Sequence, residues 1–326
     1  MAAVRAGKER NRKHLMNTFV QQIKENLVRR GPEDPLVRTA LKVHARTHGF
    51  RVRFAGDKIS IVRGPREMIL NKSEFVLVPI MMECHDLYFR TINNRPKNGR
   101  EILDFSVPGV HSYKSNGTAF HFPSIPEDDV MDAYTFWYVP QAGDVVWDAG
   151  AHAGATTYFL SQLVGSTGRV LAFEPDDIGY SFLLKNIEEH GLANVTPVKK
   201  ALDRRSGTAS FNMDGTMAAA IHDYLTYSPN AHLKSVPTVS FADACLEFGV
   251  PSFVKMDIEG AEVAVIEGAR DFLTSHPIQF AIESYHLVGG ERTYKQLDAI
   301  FPKIGYEVFS SNKFGQMFTW ARPKSA

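Results

Sequence analysis

The second half of the chain alternates between short apolar runs and longer stretches with helical periodicity. Continuous apolar runs are typical of buried parallel strands, whereas apolar residues three and four apart indicate amphipathic helices. The alternation predicts an α/β fold with a mostly parallel, seven-stranded sheet and helices on both faces. The expected strands cover residues 145–148, 169–173, 195–201, 252–257, 278–283, 306–310 and 316–322, the last two antiparallel.

The first 140 residues follow a less regular pattern and predict an N-terminal α+β extension of a domain formed by residues 141–326. Apolar residues spaced by four indicate an amphipathic helix over residues 8–30, which packs on the parent domain or a second subunit. A membrane-surface helix is the alternative. Further expected elements are a helix from Pro35 to about His48, hairpins around Gly56-Asp57 and Asn116-Gly117, and a short helix over 131–139.

Composition favours a globular protein without an evident nucleic-acid partner. The chain has 326 residues, 44% hydrophobic residues and a net charge of +1. Its two cysteines, Cys84 and Cys245, match no metal spacing and are interpreted as reduced thiols of a cytoplasmic protein, with one bridge left open. We find no apolar run of the roughly 18 residues that a membrane span needs, and no apolar core of a secretory signal.

The clearest motif is the glycine turn after the first strand of the predicted domain, Asp148-Ala-Gly150-Ala-His-Ala-Gly154. Glycine lets the backbone turn tightly, and the amides that open the following helix favour an anion. The spacing D-x-G-x-x-x-G differs from the G-x-G-x-x-G of dinucleotide sites. It corresponds to the first motif of enzymes that bind S-adenosylmethionine. A nicotinamide-dependent oxidoreductase is the alternative.

The methionine part and the ribose of S-adenosylmethionine can each be assigned to residues at or after the first two strands. Asp148 balances the ammonium of the methionine part, and the turn amides hold its carboxylate. Glu174 ends the second strand about 20 residues further on, where an acid accepts hydrogen bonds from ribose hydroxyls. The predicted cofactor-binding residues are Asp148, Ala149, Gly150, Ala151, His152, Gly154, Thr156, Thr157, Glu174, Pro175, Ala201, Leu202 and Asp257.

Two later strand ends carry candidate catalytic residues: Asp257, Glu259, Glu283 and His286. Carboxylates and a histidine at neighbouring strand ends are suited to proton transfer, and either His286 or Asp257 is the expected general base. Asp257, Glu283 and His286 also form a possible divalent-cation site. Glu262 is explained equally well as a helix cap.

Together these stretches closely resemble the FkbM family of S-adenosylmethionine-dependent methyltransferases. The resemblance rests on Trp147–Gly154, Ala172–Pro175, Val254–Glu262 and Ala281–Glu283, within roughly 143–285. Trp147 and Met256 stand where smaller aliphatic residues are common. The resemblance implies a Rossmann-like class I methyltransferase domain acting on a hydroxyl of a sugar or secondary metabolite.

Substrate identity is not carried over by the resemblance. Residues 1–140 and the aperiodic loop 214–235 are expected to form the acceptor pocket or contacts in a homo-oligomer. The expected partner is a small-molecule hydroxyl acceptor. A catalytically silent fold that serves as an assembly partner is a further alternative.

Overall fold

The computed structural model describes residues 30–127, 131–212, 220–221 and 233–324. The predicted helix over 8–30, apart from Arg30, and most of the loop 214–235 lie outside the described residues. Two compact units are present. Within the described residues, the first contains 30–90 and 94–107, and the second contains 91–93 and the residues from 108 onward.

The first unit is built on a five-stranded sheet with the order β1-β2-β3-β5-β4. Its strands are β1 Arg51–Ala55, β2 Lys58–Arg63, β3 Arg66–Asn71, β4 Arg95–Lys97 and β5 Arg100–Asp104. Its helical segments are Pro35–Thr47, the 3₁₀ turn Lys72–Leu77, Val78–Glu83 and His85–Thr91, which runs one residue into the second unit. Ala55 pairs with Lys58 across the Gly56-Asp57 turn, so the predicted hairpin is confirmed.

The second unit is organised around a seven-stranded sheet with the order β10-β9-β8-β15-β16-β20-β19. Five neighbouring strands pair in parallel, and β20 runs antiparallel to both of its neighbours, β16 and β19. The strands are β8 Val145–Ala149, β9 Arg169–Phe173, β10 Val195–Val198, β15 Phe253–Met256, β16 Gln279–Glu283, β19 Tyr306–Ser311 and β20 Phe318–Pro323. The predicted fold class is therefore confirmed.

Both faces of this sheet are buried, as the continuous apolar runs of its strands require. Val146 and Val170 belong to the core on one face, whereas their chain neighbours Trp147 and Leu171 belong to the core on the other. The helical segments of the unit are Met131–Tyr134, Ala155–Val164, Asp177–Glu189, Phe241–Phe248, Glu262–Gly268, Arg270–Ser275, Thr293–Ile300 and the 3₁₀ turn Phe301–Ile304.

Smaller sheets complete the second unit. One four-stranded sheet has the order β11-β14-β12-β13, and two hairpins are formed by β6 with β7 and by β17 with β18. Their bounds are β6 Gly109–Ser112, β7 Ala119–Phe122, β11 Ala201–Asp203, β12 Gly207–Asn212, β13 Ala220–Ile221, β14 Leu233–Ser240, β17 Leu287–Val288 and β18 Glu291–Arg292. The hairpin of β6 and β7 contains the predicted Asn116-Gly117 turn.

Three element predictions need correction. The single strand over 195–201 is wrong, because the chain turns after Val198 and Ala201–Asp203 pairs in parallel with β14 instead. The helix after β15 is interrupted at Ala269, where ψ is 0°. The helix predicted over 131–139 already ends at Tyr134.

Residues 108–140, within the described ranges, belong to the second compact unit. The indole nitrogen of Trp320 donates to the carbonyl of Ala133 at 2.7 Å, and the amide of His121 donates to Asn186 at 2.8 Å. The boundary expected at residue 140 therefore lies inside a compact unit. The predicted role of the N-terminal region in acceptor binding or subunit contacts stays a prediction.

Two further sequence observations can be compared with the structure. Within the described ranges, no helix combines the length and the apolar character that crossing a membrane requires. Cys84 and Cys245, both described, form no disulfide bond with each other.

The carboxyl ends of β8 and β15 are locked together by a close backbone contact. Gly150 follows β8 with a φ of +81°, and a Cβ at this position would lie 1.7 Å from the carbonyl oxygen of Asp257. The amide of Asp257 in turn donates to the carbonyl of Ala149 at 3.0 Å. Gly150 is therefore required for the contact between two strand ends as well as for its own turn.

We expect Gly150→Ala to lower the free energy of unfolding by about 3 kcal/mol or more, because a methyl group there overlaps backbone atoms. Gly305→Ala is the matched control, because Gly305 has a φ of +84° and no atom within 4 Å of an added Cβ. The control should lose only about 1–2 kcal/mol for its left-handed backbone. Urea unfolding of both variants measures the difference, and equal losses would contradict the contact.

Candidate active site

A cavity opens at the carboxyl edge of the seven-stranded sheet, where open α/β sheets bind their ligands. Gly150, Glu174, Asp257 and Glu283 lie on its wall, each at or just beyond the end of a different strand. The other lining residues are Glu127, Tyr134, His152, Thr156, Phe173, Pro175, Lys200, Ala201, Leu202, Phe211, Lys255, Ile258, Glu259, Ala261, Tyr285 and Gln316.

The glycine turn leads into the helix Ala155–Val164, and its amides are already bonded within the chain. The amides of Ala153 and Thr156 each donate to the carboxylate of Glu127 at 3.1 Å. Glu127 also lies 3.4 Å from Nδ1 of His152. An anion therefore occupies the helix N-terminus, as expected from the helix dipole, but the protein itself supplies it.

A buried lysine occupies the other side of the turn. Nζ of Lys255 lies 2.9 Å from Oδ1 of Asp148 and donates to the carbonyl of Gly150 at 2.7 Å. The second carboxylate oxygen of Asp148 accepts from the hydroxyl of Thr157 at 2.6 Å. Burial lowers the pKa of Lys255, but the nearby carboxylates of Asp148, Asp257 and Glu127 outweigh burial and raise it. Lys255 is therefore a charged ammonium.

Glu174 is held at the end of β9 by two backbone amides. Its carboxylate accepts from the amide of His152 at 2.8 Å and from that of Asp176 at 2.7 Å. Burial raises the pKa of Glu174 to about 7, against the opposing effects of His152 and the amide of Asp176. Each carboxylate oxygen can accept more than one hydrogen bond, so Glu174 retains capacity towards the cavity.

His286 lies within a group of three acids. Its Nε2 is 3.3 Å from Glu259 and 3.8 Å from Asp257, and its Nδ1 is 3.0 Å from Glu262. Burial lowers the pKa of His286, but Glu262 and Glu259 outweigh it and raise that pKa well above its ordinary value. His286 is therefore an imidazolium, with carboxylates close to both of its nitrogens.

Asp257 is the member of this group that combines a position on the cavity wall with a perturbed acidity. Burial and the nearby Glu259 raise the pKa of Asp257 to about 7, against the opposing charges of Lys255 and His286. A carboxyl group that titrates near neutral pH is suited to general base catalysis.

The end of β16 carries a second polar pair. The hydroxyl of Tyr134 donates to the carboxylate of Glu283, and both side chains line the cavity. Burial and the charge of Glu283 raise the pKa of Tyr134 well above its ordinary value, so the phenol stays neutral.

The predicted site residues divide into two groups. Those on the cavity wall are Gly150, His152, Thr156, Glu174, Pro175, Ala201, Leu202, Asp257, Glu259 and Glu283. Those that do not line it are Asp148, Ala149, Ala151, Gly154, Thr157 and His286. Asp148 is fully buried behind Lys255. The contacts of all these residues with a cofactor or an acceptor stay predictions.

The sequence interpretation missed several residues of the wall, above all Glu127, Tyr134 and Lys255. A lysine inside an otherwise apolar strand was an available signal for Lys255, because a buried lysine needs an anionic partner. Glu127 lies in a Pro- and acid-rich stretch whose spacing to the glycine turn carries no recognisable pattern.

The possible cation site also changes in composition. Ligand atoms of Asp257, Glu262 and His286 lie within 4.8 Å of one another, whereas the predicted set had Glu283 in place of Glu262. Nitrogen ligands must be unprotonated to bind a metal, so a cation would have to displace a proton from His286. A metal requirement stays a prediction.

The sheet order and the strand-end acids define a Rossmann-like class I methyltransferase fold. Residues 148–308 match the model of the methyltransferase FkbM domain. The resemblance seen in the sequence is thus confirmed.

Similar proteins match only parts of the chain. The hexuronic acid methyltransferase AglP of Haloferax volcanii is 30% identical over 146 residues, which are 44% of this chain and 56% of AglP. This chain therefore spans little more than half the length of that curated relative.

Solved structures give similar partial matches. The methyltransferase FkbM from Methylobacillus flagellatus is 18% identical over 57% of this chain and 45% of its own, with a TM-score of 0.42. The fibrillarin of Aeropyrum pernix, crystallised with S-adenosylmethionine, is 14% identical over 66% of this chain and 94% of its own, with a TM-score of 0.38.

We expect Glu174→Gln to weaken binding of S-adenosylhomocysteine by about 1–3 kcal/mol, because the ribose loses a charged acceptor. Isothermal titration calorimetry measures the effect. Glu307→Gln is the matched control, because Glu307 pairs with Arg322 on the surface and is not on the cavity wall. Unchanged affinity in a folded Glu174→Gln variant would remove Glu174 from the ribose site.

Proposed function

We propose that this chain is an S-adenosylmethionine-dependent O-methyltransferase whose acceptor is a hydroxyl group of a sugar. The observation that carries the proposal is the position of Asp257, a carboxyl group with a pKa of about 7, on the wall of the cavity that also contains Glu174. The sugar class is supported by the relative AglP, which is named a hexuronic acid methyltransferase.

The chemistry of the wall fits the cofactor. Glu174 provides an acceptor for ribose hydroxyls, and the apolar surface of Phe173, Leu202 and Phe211 suits the adenine ring of the cofactor. Among the described residues, five carboxyl groups and two lysines line the cavity, so its charge favours a cationic ligand. The sulfonium of S-adenosylmethionine is such a cation.

In the proposed reaction, Asp257 removes the proton of the acceptor hydroxyl. The bound cofactor supplies an electrophilic methyl group on a positively charged sulfur. The acceptor oxygen forms a bond to this methyl as the bond from carbon to sulfur breaks, and the hydroxyl proton passes to the Asp257 carboxylate. Holding the acceptor in line contributes several kcal/mol, and a positioned base contributes about 10²–10⁴-fold in rate.

The neighbours of Asp257 set its proton affinity in opposite directions. Glu259 raises the pKa of Asp257, whereas Lys255 and His286 lower it. His286 is not on the wall and is charged, so we assign it an electrostatic role in place of the general base expected from the sequence.

Tyr134 and Glu283 are proposed to position the acceptor. Both line the cavity, and their mutual hydrogen bond fixes the direction of the phenol.

The direct test is to incubate the protein with methyl-labelled S-adenosylmethionine and separate acceptors: methyl glucuronide, methyl glucoside and a phenol. We expect a methyl ether on a sugar hydroxyl. Methylation of the glucuronide carboxylate, or of the phenol alone, would contradict the sugar hydroxyl. Calorimetric binding of NAD in place of S-adenosylhomocysteine would favour the oxidoreductase alternative.

We expect Asp257→Asn to lower the turnover number by about 10²–10⁴-fold with the acceptor so identified, because the amide accepts no proton. The wild-type rate should fall as pH decreases through about 7, since the base acts only as a carboxylate. This dependence should be absent in the variant. A variant with full activity, or with the same pH profile, would show that another group removes the proton.

We expect His286→Gln to shift the rising limb of the pH profile to higher pH and to preserve most of the plateau, because the variant removes a positive charge that lowers the pKa of Asp257. Melting temperatures report whether the variant remains folded. A plateau reduced by about 10²–10⁴-fold without a shift would identify His286 as the base.

Loss of wild-type activity on adding a chelator, restored by a divalent cation, would support the metal alternative.

A further inference from the structure

Two charged side chains of the protein already occupy both polar sides of the glycine turn. Lys255 lies against the carbonyl of Gly150 and the carboxylate of Asp148, at 2.7 and 2.9 Å. The carboxylate of Glu127 accepts from the amides of Ala153 and Thr156, each at 3.1 Å. Asp148 and the turn amides, which were expected to bind the ammonium and the carboxylate of the methionine part, therefore already have partners within the protein.

Lys255 and Glu127 themselves lie on the wall of the cavity. The lysine ammonium has three protons and donates to the carbonyl of Gly150 at 2.7 Å and, at a long 3.5 Å, to that of Ala149, while Asp148 lies 2.9 Å away as an ion pair. A ligand carboxylate in the cavity would replace the long contact to Ala149. Oε2 of Glu127 accepts from the amide and the hydroxyl of Thr156, whereas Oε1 accepts a hydrogen bond from the amide of Ala153 and has a second lone pair for a ligand. At the glycine turn, the cavity is therefore lined by the ammonium of Lys255 and the carboxylate of Glu127.

We propose that the ammonium of Lys255 binds the carboxylate of the cofactor's methionine part, and that the carboxylate of Glu127 binds its ammonium. This inference rests on the proposed function, because it assigns one end of the same cofactor. It differs from the expectation that Asp148 and the turn amides bind these groups directly. Asp148 instead holds Lys255 in place.

The charge states of both residues are consistent with this arrangement. Burial raises the pKa of Glu127, but His152, Lys255 and the amide of Thr156 outweigh it and lower that pKa overall. Glu127 in turn helps to raise the pKa of Lys255. The two groups therefore stabilise each other's charge across the space that the amino acid would enter.

Two ligands separate this inference from a structural effect. S-adenosylhomocysteine carries the amino acid group, whereas 5′-methylthioadenosine has the same nucleoside and thioether without it. We expect Glu127→Gln to weaken S-adenosylhomocysteine about 10- to 100-fold, the loss of one charged hydrogen bond, and to leave 5′-methylthioadenosine unchanged. Glu307→Gln should change neither affinity. Isothermal titration calorimetry measures all four combinations.

Lys255 is tested with a second ligand pair, because its removal leaves Asp148 buried without its cation. Lys255→Gln should weaken the binding of S-adenosylhomocysteine about 10- to 100-fold more than it weakens the binding of decarboxylated S-adenosylhomocysteine, which lacks the carboxylate. This ratio within one variant is independent of a uniform loss of folded protein.

Each other outcome overturns a defined statement. Equal weakening of both ligands by Glu127→Gln, or no weakening of either, would show that Glu127 only supports the turn. An unchanged ligand ratio in Lys255→Gln would remove Lys255 from the carboxylate site. If the wild-type protein bound neither S-adenosylhomocysteine nor 5′-methylthioadenosine, the proposed function itself would be refuted.

Discussion

The buried ion pair between Lys255 and Asp148 is the interaction on which the site depends. The two residues stand opposite each other in the parallel register of β15 and β8, in the middle of the sheet. Both are almost completely buried. A buried charge without its partner costs about 3–5 kcal/mol, so the loss of either residue alone is strongly destabilising. The pair fixes the two strand ends from which the glycine turn and Asp257 continue.

From this pair, electrostatic effects extend in two directions. Towards Glu127, opposite charges reinforce each other and both groups remain ionised. Towards Asp257, the ammonium acts against burial and against the nearby Glu259, and the balance leaves a pKa of about 7. Under the proposed function, one lysine contributes both to cofactor binding and to proton transfer, because it lies between Glu127, which stays ionised, and Asp257, whose pKa is about 7.

The sequence predicted what depends on local pattern. Apolar strands and the acids that end them, such as Glu174 and Asp257, are encoded within a few residues. It did not predict Glu127, which reaches the turn from 26 residues earlier in the chain. The charge of His286 was also missed, because it is determined by three carboxylates, including Glu262, which pattern alone could not distinguish from a cap. Long-range pairing and proton affinity arise only when distant segments meet.

The contact between Gly150 and the carbonyl of Asp257 couples the glycine turn mechanically to the proposed base. A displacement of the turn by a few tenths of an ångström would therefore be passed to the carboxyl group that is proposed to accept the proton. Selection therefore cannot adjust donor geometry and base geometry separately. It can alter the choice of acceptor through wall residues such as Tyr285 and Gln316, which lie on other segments of the chain. Divergence of substrate around an unchanged reaction centre is the evolutionary path that this contact leaves open.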